Sequence, residues 1–194
     1  MLKRDHTALV LIDIQGKLAS LMHQQEALYR QLQILIQGAQ ALELPILWLE
    51  QYPKGLGPTI PEVAELLSEQ APLAKTCFSA CGLDHFQDQL RATGRRQILL
   101  AGIEAHICVY QTARDLLDAG YHVEAVTDAV SSRTAENKAL GLQRMAQIRL
   151  QFHQSLQHAQ DVFFAKVGAQ FGKADTFCFG DIQFVDVAVH LGAE

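Results

Sequence analysis

The stretch RRQILLAGIEAHICVYQTARDLLDAGYHVEAVTDA, residues 95–129, predicts a strand, a helix and a second strand in succession. Residues 98–101 form a continuous apolar run, which is typical of a strand buried on both faces, and Gly102 ends it. Apolar residues then recur at helical spacing until Gly120, a residue suited to end a helix. A second apolar run, residues 123–126, follows at once. This order is typical of two parallel strands joined by a crossover helix.

The first turn of this predicted helix contains a cysteine, Cys108. A thiol at that position faces unpaired backbone N–H groups and the positive end of the helix dipole. Both effects lower the pKa of a thiol, so we expect Cys108 to favour the thiolate. A buried structural cysteine is the alternative, and the position by itself does not decide between the two.

Strand and helix patterns alternate over most of the remaining sequence. Further strands are predicted at residues 7–12, at residues 45–50 and in a short segment that stops near residue 75. Helices are predicted over residues 17–42, 61–68, 82–93 and 134–147, with a Pro/Gly loop at residues 51–61. This alternation predicts a three-layer α/β/α fold with a doubly wound, mostly parallel sheet, in one domain over residues 1–194.

Composition and charge exclude several classes of function. The 194 residues carry a net charge of -5 without a basic patch, so we expect no nucleic-acid partner. The apolar segment near the start is too short for a signal peptide, and no run reaches membrane-spanning length, so we expect a cytoplasmic protein without membrane contact. The four cysteines are therefore expected to be free, and Cys77 and Cys81 lack the second ligand pair of a zinc site.

Three reactive residues lie at or after the ends of predicted strands. They are Asp13, Lys75 and Cys108, the last at the end of the segment that follows its strand. Ligands of doubly wound sheets bind at the carboxyl ends of the strands. A carboxylate there can take a thiol proton, an ammonium group can stabilise the thiolate, and the thiolate can attack a substrate. Asp13 as a helix N-cap and Lys75 as a solvated side chain are the alternatives. The joint placement favours a nucleophilic site.

Three motifs together resemble the isochorismatase-like cysteine hydrolases, a family that includes nicotinamidases. They are LIDIQ at residues 11–15, KTCFSA at residues 75–80 and AGIEAHICVYQTARDLLDAGYHVEAVTDAVSSR at residues 101–133. The resemblance covers about residues 7–147. It implies a six-stranded parallel sheet of order 3-2-1-4-5-6 and a homo-oligomer, at least a dimer.

The resemblance also implies a role for each site residue. Cys108 would be the nucleophile, Asp13 the general base and Lys75 the group that stabilises the thiolate. A non-proline cis peptide bond would join Ile103 to Glu104, and the N–H groups of Glu104 and Cys108 would form the oxyanion hole. The implied reaction is cleavage of a small amide or related C–N bond through a thioester, without a cofactor.

The loop after the second strand departs from the family's metal-binding members. Those members resemble one another in an Asp-x-His element, whereas residues 50–52 here are Glu-Gln-Tyr. We therefore expect no metal and no nicotinamidase activity. The residues expected to contact the small-molecule substrate are Gln15, Gln51, Tyr52, Phe78 and Ile107.

The C-terminal part departs further from the family. Residues 149–152 could form the sixth strand and residues 154–167 the last helix, while residues 168–194 match no family pattern. Residues 183–191 alternate like a strand that is exposed or that pairs with a partner, and a reading-frame change near residue 148 is one hypothesis for the tail. An alternative function is therefore a non-catalytic, oligomeric member that binds a small molecule. A redox role of Cys77 and Cys81 is less favoured, because their spacing is not Cys-x-x-Cys.

Overall fold

One parallel sheet organises the chain, whose computed structural model describes residues 2–148 and 150–153. Within those residues the sheet has six strands in the order β3-β2-β1-β4-β5-β6, and all neighbouring strands are parallel. The strands are β1 Thr7–Ile12, β2 Ile46–Gln51, β3 Leu73–Lys75, β4 Gln97–Ile103, β5 His122–Ser131 and β6 Gln151–His153. The predicted fold class and strand order are confirmed.

Helices cover both faces of this sheet. They are α1 Gly16–Ser20, α2 Gln25–Ala41, α3 Pro53–Leu56, α4 Pro61–Ala64, α5 Asp84–Ala92, α6 Tyr110–Asp118 and α7 Ala135–Gln147. Short 3-10 turns occur at Arg4–His6, Glu65–Leu67 and Ala80–Gly82. Thr134 caps α7 by accepting a hydrogen bond from the N–H of Asn137 at 3.2 Å.

The single helix predicted over residues 17–42 is wrong. The structure has two helices there, α1 and α2, separated by a turn. Gln24 immediately precedes α2 with a φ of 54°, in the left-handed region, where a right-handed helix cannot continue. Glutamine is a good helix former, so its type did not indicate the break.

The core consists of two apolar clusters, one on each face of the sheet. Ala8, Val10 and Ile12 of β1 belong to the cluster that includes residues of α5 and α6. Leu9 and Leu11 belong to the other cluster, which includes residues of α2. Successive side chains of a strand point to opposite faces, so burial of both faces requires the uninterrupted apolar runs seen in the sequence.

Gly102 brings β4 into close contact with the end of β1. Its φ is 122°, and a Cβ placed on it would lie 2.1 Å from the carbonyl oxygen of Ile12. The pairing of β4 with β5 also shifts register between Leu100 and Gly102. Only glycine fits this conformation and this spacing. The contact holds the start of the segment leading to Cys108 beside the residue that precedes Asp13.

The described residues end shortly after the predicted sixth strand. That strand is present as β6, paired with β5. The helix predicted at residues 154–167, the partner strand at residues 183–191 and the unmatched tail at residues 168–194 lie outside the described residues. None of the described helices is both long and apolar enough to cross a membrane.

Candidate active site

Asp13 and Lys75 form a buried ion pair at the carboxyl edge of the sheet. Lys75 Nζ lies 2.7 Å from Asp13 Oδ2, and the two side chains are 0% and 3% exposed. The same ammonium group donates to Gln51 Oε1 at 2.7 Å and to the carbonyl oxygens of Cys77 and Phe78 at 3.2 Å. Lys75 is therefore oriented on every side by acceptors, and the alternative of a solvated lysine is wrong.

The carboxyl group of Asp13 retains one oxygen that can accept a proton. Oδ1 is buried and has no hydrogen-bond partner of standard geometry among the described residues, although the Asp13 carboxyl is close enough to the Cys108 thiol to affect the pKa of both groups. Burial raises the pKa of Asp13, and the ion pair with Lys75 opposes that shift without cancelling it. Asp13 does not cap a helix, since the N-cap of α1 is Gln15. Asp13 therefore does not serve as a helix cap, and one of its carboxyl oxygens is available to a proton.

Cys108 lies in a wide turn, Ala105–Val109, that leads directly into α6. The carbonyl oxygen of Glu104 accepts hydrogen bonds from the N–H groups of Ile107 at 3.0 Å and Val109 at 3.3 Å. The bond from Val109 spans five residues, one more than in an α-helix. Cys108 is 8% exposed, and it is close enough to both Asp13 and Lys75 for their charges to change the pKa of its thiol.

The predicted lowering of the Cys108 pKa is wrong. Burial and, to a smaller extent, the negative charge of Asp13 raise the pKa of the thiol to about 12, and the positive charge of Lys75 opposes them only in part. The sequence indicated the position next to the helix start, but it did not reveal the loss of water around the sulfur. Desolvation disfavours the charged thiolate, so the resting form is the neutral thiol.

The raised pKa predicts a specific loss of stability in alkali. The thiol titrates near its usual value of 9.0 in the unfolded chain and near about 12 in the folded protein. Between those values the unfolded state binds fewer protons, so the free energy of unfolding falls as the pH rises. Cys108→Ala lacks the thiol, so we expect its free energy of unfolding to fall less with pH than that of the wild type. The difference between the two falls is at most on the order of 4 kcal/mol. Urea unfolding at several alkaline pH values measures it, and parallel curves for the two proteins would contradict the prediction.

The carboxylate of Glu104 is held by Arg133. Arg133 Nε lies 3.1 Å from Oε1 and 3.3 Å from Oε2, and the backbone N–H of Arg133 donates to Oε2 at 3.3 Å. The peptide bond between Ile103 and Glu104 is cis. Although paired, Glu104 is near enough for its charge to contribute to the raised pKa of Cys108.

Gln15 and Gln51 use their side chains within the protein. Gln15 is fully buried, and its Nε2 donates to the carbonyl oxygens of Gln51 at 3.1 Å and Gly57 at 2.7 Å. Gln51 accepts from Lys75 and donates to the carbonyl oxygen of Thr76 at 2.9 Å. These bonds favour a supporting role for both amides over the substrate contacts that we predicted.

Tyr52, Phe78 and Ile107 lie around the buried site. Tyr52 and Phe78 are 54% and 56% exposed, and the backbone of each is hydrogen-bonded to Lys75. Ile107 precedes Cys108 and is partly buried against the core. The two aromatic side chains are therefore exposed on segments that are bonded to Lys75, where they can contact a ligand.

Two residues that the sequence did not single out also belong to the site. Arg133 pairs with Glu104, and Glu50 is a buried carboxylate that accepts hydrogen bonds from Thr59. Glu50 had been noted only as a replacement for a metal ligand. Within the described part of the chain, no group of three or more His, Cys, Asp or Glu side chains is arranged to hold a metal ion.

Comparisons with known proteins agree on one family. A family model described as Isochorismatase domain matches residues 7–160. Isochorismatase domain-containing protein 2 of Macaca fascicularis is 46% identical over 115 residues, which are 58% of this chain and 54% of that protein. Isochorismatase family protein 1B of Dictyostelium discoideum is 34% identical over 147 residues, or 73% and 70% of the two chains. The chain thus spans about half the length of the mammalian relative.

Two solved structures share the fold. The MAR1 ribonuclease of Caenorhabditis elegans superposes with a TM-score of 0.78 at 32% identity, over 95% of this chain and 99% of that one. The YcaC gene product of Escherichia coli, described as an octameric hydrolase of unknown specificity, gives a TM-score of 0.77 at 25% identity, over 81% and 79%. Taken with the sheet order and the match over most of its length, these similarities show that the chain belongs to the isochorismatase family.

Proposed function

We propose that this protein is a cysteine hydrolase that cleaves a small amide or a related C–N bond without a cofactor. One observation carries the proposal. A buried ammonium group fixes one oxygen of Asp13, while the other oxygen is left without a hydrogen-bond partner among the described residues, in a site that also contains Cys108. A nucleophile, a base and an orienting cation are the parts that such a reaction needs.

The first half of the proposed reaction forms a thioester. As the sulfur of Cys108 attacks the carbonyl carbon, the thiol proton moves to Oδ1 of Asp13. The raised pKa of Asp13 makes it a stronger base than an ordinary aspartate, which suits a thiol whose own pKa is also raised. The negative oxygen of the tetrahedral intermediate would accept from the N–H groups of Glu104 and Cys108. The C–N bond then breaks, and the leaving amine takes the proton from Asp13.

The second half returns the enzyme to its resting state. Asp13 removes a proton from a water molecule as that water attacks the thioester carbonyl. The C–S bond breaks, the acid product leaves, and the proton returns to the sulfur of Cys108. Lys75 takes no part in the proton transfers: four acceptors hold its ammonium group in place, and its role is to orient Asp13 and to offset negative charge.

Exposure of the site residues favours a small substrate. The attacking residue is only 8% exposed, so a bulky polymer could not bring a scissile bond to the sulfur without rearrangement. Tyr52 and Phe78 would contact the remainder of the substrate at the surface, and Ile107 would contact it beside Cys108. The net charge of -5 argues against a polyanionic substrate such as RNA, although one relative is named a ribonuclease.

We also propose a homo-oligomer, at least a dimer. The octameric state given for the YcaC gene product supports it. Light scattering at micromolar concentration measures the assembly directly, and a monomer would contradict this part of the proposal.

A panel of small primary amides tests the proposed reaction. We expect ammonia release from at least one amide with the wild-type protein, none with Cys108→Ala, and an acyl adduct on Cys108 detected by mass spectrometry after rapid acid quenching. A structured RNA included in the same panel is expected to stay intact. Amide hydrolysis that persists in Cys108→Ala would contradict the role of the cysteine, and RNA cleavage would redirect the proposal towards a nuclease.

The raised thiol pKa favours one alternative function, that of a non-catalytic member that binds a small molecule. A thiol with a pKa of about 12 could also be an inert structural residue. Binding of an amide from the panel by calorimetry, without ammonia release or an acyl adduct, would support this alternative.

A further inference from the structure

Glu50 is a buried carboxylate next to the proposed site. It is the fifth residue of β2 and is 6% exposed. Its Oε1 accepts hydrogen bonds from the backbone N–H of Thr59 at 2.7 Å and from the hydroxyl group of Thr59 at 2.8 Å. Both partners are neutral, so the charge of Glu50 is solvated by dipoles rather than by a cation. Burying a charge in this way costs desolvation free energy, which indicates a functional role for the carboxylate.

The bonds to Thr59 close the loop at residues 52–60. The opposite side of this loop is attached to the segment that follows Asp13. Gly16 N–H donates to the carbonyl oxygen of Pro58 at 3.0 Å, and Ile60 N–H donates to that of Ile14 at 3.0 Å. A Cβ on Gly16 would lie 2.2 Å from the carbonyl oxygen of Leu56, so the two backbones are in direct contact. The loop therefore forms a wall against the chain that carries Asp13.

The same network reaches Lys75 through the residue after Glu50. Gln51 accepts a hydrogen bond from Lys75 Nζ, and its backbone is bonded to the amide of Gln15. A displacement of the strand end at Glu50 would therefore move an acceptor of Lys75. The backbone of Asp13 is also joined to β2, since its N–H donates to the carbonyl oxygen of Leu49 at 3.1 Å.

We propose that Glu50 is a positioning residue for the Asp13–Lys75 pair, holding the loop at residues 52–60 through Thr59 and keeping a second negative charge beside Asp13. This inference rests on the proposed function. The charged and titratable groups that act on Asp13 are Lys75 from β3, Cys108 from the turn before α6, and Glu50 from β2. Burial is the main cause of the raised pKa of Asp13, and Glu50 makes a smaller contribution in the same direction, because its negative charge disfavours ionisation of its neighbour.

Two substitutions separate the charge of Glu50 from its contacts. Glu50→Gln keeps an oxygen that can accept from Thr59 but removes the negative charge. Thr59→Val keeps the charge of Glu50 but removes the hydroxyl bond. Glu69→Gln is the matched control, because it removes the same charge from an exposed position.

The titration of Asp13 provides a measurement that needs no substrate. Carbon-detected NMR of carboxyl-labelled protein, with the Asp13 signal assigned from Asp13→Asn, gives the pKa in each variant. We expect a lower pKa of Asp13 in Glu50→Gln than in the wild type, and an unchanged pKa in Glu69→Gln. The proposal would be overturned if the pKa of Asp13 is unchanged in Glu50→Gln, or if Glu69→Gln shifts it by the same amount.

Limited proteolysis tests the positioning part and remains informative if Glu50→Gln does not fold. We expect Thr59→Val to be cut within residues 52–60 faster than the wild type, and equal rates would count against the role of Glu50 in closing the loop. Neither measurement depends on turnover. A shifted Asp13 titration in a protein that hydrolyses no amide would therefore refute the proposed function while leaving the coupling of Glu50 to Asp13 intact.

Discussion

Replacing Lys75 with methionine is expected to lower the free energy of unfolding by about 3–5 kcal/mol, because it leaves a buried charge without its partner. Among the described residues that act on the pKa of Asp13, Lys75 is the only cation, and the substitution removes it. The acceptors on Gln51, Cys77 and Phe78 lose the donor that they share. Methionine has nearly the length of lysine, so the effect would come from the lost ammonium group rather than from a large cavity.

The double variant Lys75→Met/Asp13→Asn identifies the cause of that loss. Removing the carboxylate as well removes the unpaired charge, so we expect the double variant to be more stable than Lys75→Met alone. Urea unfolding of the wild type, both single variants and the double variant gives the coupling free energy between the two residues. Additive losses would contradict the interpretation of a mutually dependent buried pair. Neither Lys75→Met nor the double variant is expected to hydrolyse amides, since Lys75→Met removes the group that orients Asp13 and the double variant also removes the base.

Much of the site could be predicted because chain order constrains a parallel sheet. Buried parallel strands require uninterrupted apolar runs, and ligands bind where those runs end. Asp13 and Lys75 follow or end such runs, and the structure brings them together at the edge of the sheet. The family resemblance added the strand order, which the structure confirms.

The remaining features depend on burial and on side-chain partners that no sequence pattern carries. The position of Cys108 next to a helix predicted a lowered pKa, whereas dehydration by distant residues raises it. Gln15 was predicted to contact the substrate, but its amide donates to the carbonyl oxygens of Gln51 and Gly57, which lie 36 and 42 residues further along the chain. Glu50 could not be recognised as buried before Thr59 was known to lie against it. These are long-range contacts, and local propensity does not encode them.

Substituting Gly102 with alanine is expected to be among the most damaging single changes in the sheet. The residue has a φ of 122°, a backbone angle that L residues other than glycine rarely adopt. The added Cβ would lie 2.1 Å from the carbonyl oxygen and 2.7 Å from the nitrogen of Ile12. Both atoms belong to backbone, so no side-chain rotation can relieve the contact. β1 and β4 would have to separate at Ile12, immediately before Asp13. We expect a loss of more than about 4 kcal/mol in unfolding free energy, or no folded protein.

Gly94→Ala is the matched control for the effect of backbone conformation. Gly94 also has a positive φ, 68°, but a Cβ there would meet no heavy atom within 4 Å. Its substitution should cost only about 1–2 kcal/mol, the usual penalty of a left-handed conformation. Thermal and urea unfolding of both variants compare the two losses. A similar loss at both positions would show that conformation alone accounts for Gly102, and that β1 and β4 can move apart cheaply. A much larger loss at Gly102 would show that the close approach of the two strands, on which the position of Asp13 depends, is rigid.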